Sequence, residues 1–170
     1  NYPNSLVSIG SQAFMNCIML SNAYIPSEMK SVPSGLFHGC TNLSDVIIPE
    51  GVETIEDYAF YNTKMNSLHI PTSLKETEDN SFQNCSIDNV YIQDLIAWIN
   101  VKFSSGKYGW LNGSSPMSNK VKEIYINGEA VRELIIPEGV TGISHEKFLG
   151  GNITNVILPE SIESVGNSFT

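Results

Sequence analysis

The chain has 170 residues, 18 of them acidic and 9 basic, with a net charge of −9 and a charged fraction of only 16%. Neutralising a phosphate backbone takes clustered Lys and Arg, and no basic run occurs here, so the composition argues against a nucleic-acid partner. No stretch approaches the ~18 consecutive apolar residues of a membrane-spanning helix, so no membrane insertion is expected of this chain.

Read in chain order, the sequence keeps a beat. Pro3, Pro26, Pro49 and Pro71 are separated by 23, 23 and 22 residues, and Pro137 and Pro159 by 22. Eleven residues after five of these prolines comes a phenylalanine: Phe14, Phe37, Phe60, Phe82 and Phe148. Self-similarity at a fixed short period marks a solenoid, in which each unit stacks on copies of itself. The chain starts in phase at Pro3 and stops at Phe169-Thr170 without a polar cap. It is therefore expected to be a single domain, 1–170, cut from a longer protein.

Before each proline the pattern is apolar, two polar, then apolar-x-apolar, as in Leu43-Ser-Asp-Val46-Ile-Ile48 and Met65-Asn-Ser-Leu68-His-Ile70. That alternation marks a short strand with two side chains turned inward. Seven such segments end at Ile25, Ile48, Ile70, Ile92, Ile126, Ile136 and Leu158, and the expectation is one parallel sheet with strands about 4.8 Å apart. The proline ends each strand because it has no N–H for the ladder. Next come Val52-x-x-Ile55, Leu74-x-x-Thr77 and Val140-x-x-Ile143, a second inward pair, and then the phenylalanines, expected to stack as a ladder.

Cys17, Cys40 and Cys85 share one position in the unit, taken by Thr63 and Gly151 in other copies, so the slot wants a small side chain. Buried thiols packing as small hydrophobes account for it; an inter-coil disulfide or a metal site is the alternative. Between about 93 and 136 the beat fails. Leu95 and Trp98 read as one face of a short helix, followed by a Gly/Ser-rich loop from Ser104 to Ser118 that carries Tyr108, Trp110 and Pro116. Asn127-Gly128 is a two-residue turn signal, which leaves two readings for 121–136: an antiparallel hairpin, or a shortened coil with parallel strands.

The elements Ile48-Pro49, Val52-x-x-Ile55, Ala59-Phe60, Ile9-Gly10, Ala13-Phe14 and Cys17 resemble the BspA-type leucine-rich repeat. The middle segment is similar to a longer unit of that family through Leu95, Trp98, Phe103, Pro116 and Tyr125-Ile126-Asn127-Gly128. The resemblance implies a right-handed leucine-rich-repeat solenoid, mostly β, with short parallel strands, turns and one short helix. It also implies a bacterial cell-surface or secreted protein that adheres to extracellular-matrix, host-cell or microbial proteins. It brings no catalytic residues and no cofactor.

Binding residues are therefore argued from geometry. Strand side chains alternate, so the middle residue of each apolar-x-apolar triplet faces outward: Tyr24, Ile47, His69, Tyr91, Tyr125, Ile135 and Ile157. Aromatic side chains are enriched at interface cores, and this column is the first candidate surface for a protein partner; ordinary β-propensity is the competing explanation. The loop around Tyr108, Trp110 and Met117 is the second candidate, unless Trp110 folds back over the irregular coil. No metal-ligand spacing occurs. His38, His69 and His145 occupy three different phases of the repeat, so no catalytic set is expected. Glu50, Glu53, Glu56 and Asp57 read as a solvated face. Two functions fit: a protein-binding adhesin module, or a spacer that holds another domain away from a surface.

Overall fold

The computed structural model describes residues 6–104, 113–119, 121–144 and 146–169. In chain order the elements are β1 (Ser31–Val32), β2 (Asp45–Ile47), β3 (Thr54–Ile55), β4 (Lys64–Ile70), β5 (Glu76–Thr77), β6 (Ser86–Ile92), α1 (Leu95–Asn100) and β7 (Lys102–Phe103). A single 3-10 turn, Pro116–Asn119, leads to β8 (Glu123–Ile126), β9 (Glu129–Ala130), β10 (Glu133–Ile135), β11 (Gly142–Ile143), β12 (Asn155–Ile157) and β13 (Ser164–Val165). The coils at Pro49, Pro71, Pro137 and Pro159 each contribute one strand before the proline and one after it.

The strands before the prolines form a sheet in the order β2-β4-β6-β8-β9, parallel up to β8 and in the register Ile47↔His69, His69↔Tyr91, Tyr91↔Tyr125. The strands after the prolines form a second parallel sheet, β1-β3-β5-β7. Between the two sheets lies the apolar interior, where Val46, Leu68, Val90, Val52, Ile55 and the phenylalanines are buried. The rings stack as expected: Phe14–Phe37 at 5.7 Å, Phe37–Phe60 at 5.6 Å, Phe60–Phe82 at 5.3 Å and, further on, Phe148–Phe169 at 5.6 Å between centroids.

Around each phenylalanine the backbone alternates its hydrogen bonds. Leu36, His38 and Cys40 donate N–H within their own coil, to Pro33, Gly35 and Phe37, whereas Gly35, Phe37 and Gly39 donate to Asp57, Ala59 and Tyr61 of the next coil. The alternation puts the residues two before and two after the phenylalanine in the left-handed region: Gly35 and Gly39 in one coil, Tyr58 and Asn62 in the next, Asn80 and Asn84 in the third. Gly and Asn are the residues that enter this region at least cost.

The cysteine slot also has a hydrogen-bonding role. The Cys40 thiol donates to Phe14 O at 3.1 Å and Cys85 to Phe60 O at 2.7 Å, and Thr63 Oγ1 donates to that same carbonyl at 2.8 Å. The sulfurs reach the phenylalanine carbonyl of the preceding coil and Thr63 that of its own, so a small donor placed in this slot finds an acceptor, while Gly151 fills it without one. All three thiols are free, with Cys17 exposed and the other two buried. The acidic segment has a structural role too: Glu50 accepts from Thr72 N and Oγ1, and Glu56 from Ser31 Oγ and Ser34 N. These carboxylates stitch neighbouring coils together rather than simply facing water.

The expectation of seven strands in one parallel sheet does not hold. The first segment makes only a bridge, Asn22↔Asp45, and β10-β12 is a separate two-stranded sheet. The break occurs because Asn127-Gly128 folds β9 back on β8 in antiparallel pairing, Tyr125↔Ala130, and takes up the edge that the next strand would have used. Of the two readings of 121–136, the antiparallel hairpin is observed only from Ile124 to Val131; β10 leaves it and pairs in parallel with β12.

A helix was expected around Leu95 and Trp98, and α1 is capped by Asp94, whose Oδ1 accepts from Ala97 N at 2.7 Å. Trp98 is buried and lies edge-on to Phe103 at 5.5 Å, which interrupts the phenylalanine ladder. Above this pair sits Lys147, fully buried in the slot that holds Ala13, Leu36, Ala59, Ser81 or Ser168 in other coils. Its Nζ donates to the carbonyls of Trp98 and Val101 at the end of α1 and lies 3.7 Å from the Phe103 ring centroid. In return Trp98 Nε1 donates to Lys147 O at 2.9 Å.

Candidate interaction surface

The outward column is real as geometry, and it comes in two pieces. In the first, the register Asn22↔Asp45 carries Tyr24 beside Ile47, and these are 61% and 64% exposed. Next to Ile47 come His69, Tyr91 and Tyr125, stacked at 4.3 Å and 4.5 Å with interplanar angles of 4° and 12°. Strand spacing is about 4.8 Å, so identical register forces these rings face to face and turns their edges and hydroxyl tips to solvent. Beyond Tyr125 the hairpin places Ala130 where another large side chain would continue the row. Ile135 and Ile157 pair with each other in the second sheet, both exposed. The structure therefore brings five of the seven residues together and sets two apart.

The polar column beside the rings is largely satisfied within the protein. Asp45 accepts from Ser67 Oγ and Ser44 Oγ, which hold its carboxyl below the ordinary value. Arg132 clasps Glu123 through both guanidinium nitrogens, at 2.7 and 3.1 Å, and with Asn152 holds that carboxyl low as well. Burial among its neighbours lowers the His69 pKa, with Asp45 opposing it only in part. Below its folded pKa His69 gains a positive charge, whereas at neutral pH it is an uncharged ring in an aromatic row.

A second aromatic cluster escaped sequence reading. His38, Tyr58 and Tyr61 meet at 4.7 to 6.3 Å between centroids, and the Tyr61 hydroxyl accepts from Asn84 Nδ2 at 3.1 Å. Tyr58 adopts φ +59° in the left-handed region, uncommon for a bulky residue. Reading the residue after each phenylalanine as a column would have exposed His38 and Tyr61; nothing in the sequence marks Tyr58 as their neighbour. Tyr108 and Trp110 lie outside the described residues, as does His145, whereas Met117 of the same candidate loop is fully buried in the core and offers no anchor to a partner. Among the described residues, no group of three His, Cys, Asp or Glu is placed to hold a metal ion, and no helix is long and apolar enough to cross a membrane.

The family model for the BspA type leucine-rich repeat region matches six copies over residues 1–106 and 117–169. The chain belongs to that family. No curated protein matches it. Among solved structures it is similar to a leucine-rich repeat protein from Bacteroides ovatus ATCC 8483, with a TM-score of 0.50 and 18% identity over 97% of this chain and 56% of that one. It is also similar to a leucine rich cell surface protein from Faecalibacterium prausnitzii A2-165, with a TM-score of 0.47 and 26% identity over 94% of this chain and 41% of the other. The chain thus spans roughly half the length of the solved proteins it matches. Membership gives the fold and the general character of an interaction or repeat module.

Proposed function

We propose that this BspA-type repeat region is a non-enzymatic protein-binding module of a cell-surface or secreted protein, with the Tyr24–Ile47–His69–Tyr91–Tyr125 row as its contact face. The observation that carries the reading is the row itself: Tyr24 and Ile47, each more than half exposed, continue directly into three stacked rings on an outward sheet face. Interface cores favour large, rigid side chains with a polar tip, which cost little entropy to order. An extracellular-matrix protein or another cell-surface protein is the partner class the family resemblance suggests.

The test is a plate-binding assay of the purified chain against a panel of extracellular-matrix proteins, with Tyr91→Ser and Tyr125→Ser alongside the wild type. A contact-face role raises Kd about tenfold or more in each variant, in the range of interface hot spots. Equal binding by both variants rejects this face. If the wild type binds nothing on the panel and tolerates charged substitutions along the row, the region is a spacer.

A further inference from the structure

We infer that the groove between α1 and β11 accepts an extended segment of a partner protein as an added strand. The argument begins with the ladder of the second sheet. In a regular coil Glu53 N and Thr54 N donate to Lys30 O, and Glu56 N donates to Val32 O. One coil on, Lys75 and Glu76 donate to Glu53 O, and Glu78 donates to Ile55 O. The last coil repeats the scheme, with Glu163 and Ser164 donating to Thr141 O and Gly166 to Ile143 O.

Between β7 and β11 the scheme stops. By repeat position, Thr141 N and Gly142 N should reach Val101 O, and Ser144 N should reach Phe103 O. The Val101 carbonyl is instead taken by the Lys147 ammonium, β7 and β11 do not pair, and the three N–H groups meet no acceptor among the described residues. The cause is α1. A helix is about 10 Å across where strand neighbours need about 4.8 Å, so inserting it wedges these two coils apart. Val140 shows the consequence: it is only partly buried, whereas its equivalents Val52 and Leu74 are 0% and 3% exposed.

What remains is a groove of about 470 Å³ walled by Ile96, Ile99, Pro137 and Val140. Thr141 and Gly142 line it and Ser144 lies two residues further on; in the regular coil the equivalent donors serve two carbonyls two residues apart, about 7 Å at the rise of a strand. Carbonyl oxygens at that spacing belong to an extended backbone, and the apolar walls suit one of its alternating side chains. The occupant is therefore an extended peptide segment with an apolar residue facing Ile96 and Val140. This groove shares no residue with the aromatic row, so it stands or falls independently of the function proposed above.

The probe is a capped synthetic peptide copying residues 28–34, whose Lys30 and Val32 carbonyls meet the equivalent donors in the regular coil. Amide hydrogen exchange is followed by NMR on the isotope-labelled chain, with and without peptide at 1 mM. The expected result is exchange at Thr141, Gly142 and Ser144 slowed tenfold or more, with Glu53, Glu56 and the sheet carrying Tyr91 unchanged. Ile96→Arg, at a 41% exposed position, weakens the effect at least tenfold while the remaining spectrum is preserved. The inference is overturned by no protection at 1 mM, or by the three amides already being as protected as Glu53 in the free chain. Equal protection by acetate, or protection that rises with protein concentration alone, also overturns it, in favour of a simple anion or of a second copy.

Discussion

Replacing Lys147 by methionine tests how the two parts of the stack are joined. The ammonium is fully buried, caps the end of α1 through the Trp98 and Val101 carbonyls, and forms no ion pair with any described carboxylate. Burial pushes its pKa down from 10.5 to about 7. A lysine whose folded pKa is lowered binds fewer protons folded than unfolded at any pH between the two values, so stability rises with pH across that interval. The slope from one such group is about 1.4 kcal/mol per pH unit. Cys40 and Cys85 act in the opposite sense: burial raises both thiols from 9.0 to about 11, which costs stability as the pH nears and passes 9. The two thiols together cost only about 1 kcal/mol by pH 9, so the useful window is pH 7 to 9, where Lys147 should add about 2 kcal/mol and the net trend is still upward. Urea unfolding at half-unit pH steps reads this as a rising midpoint at constant m. Lys147→Met fills similar volume without a titrating group and should flatten the profile. A wild-type midpoint level between pH 7 and 9 would refute the reasoning; it would mean that the two carbonyls and the Phe103 face hold the ammonium charged after all. A slope retained in the variant would refute it equally.

Two further predictions follow from the interior. Phe60→Ala removes a fully buried ring that stacks on both neighbours, and should cost about 3–5 kcal/mol in urea unfolding through lost transfer energy and a cavity. The half-buried Phe169, stacked on Phe148 alone among described rings, should cost clearly less when replaced; equal losses would show that the ladder does not carry the core. Alkylation with iodoacetamide at pH 8 should give a single adduct, at Cys17, because Cys40 and Cys85 are buried and hold their protons at that pH. Mass spectrometry of the intact and digested chain reads this directly, and prompt labelling of Cys85 would contradict its bond to Phe60 O.

The repeat was legible because stacking makes equivalent positions do equivalent work. The spacing of Pro49, Phe60 and Pro71 is visible at a glance, and from it follow the strands, the register, the ring ladder and the outward row His69–Tyr91–Tyr125. Alternation along a strand is local, so the sequence alone determines which of Val46 and Ile47 faces in. Only the tertiary structure decided what happens where the period breaks. Whether Asn127-Gly128 folds β9 onto β8 or leads on to a parallel strand depends on which backbone edge is open, and that is a property of several coils together. The same holds for Lys147: the sequence shows a charge in a slot otherwise held by small or apolar residues, and nothing local tells that α1, about 50 positions earlier, presents its terminal carbonyls there. Periodic features repeat their own explanation, whereas interruptions are settled by contacts between segments far apart in the chain.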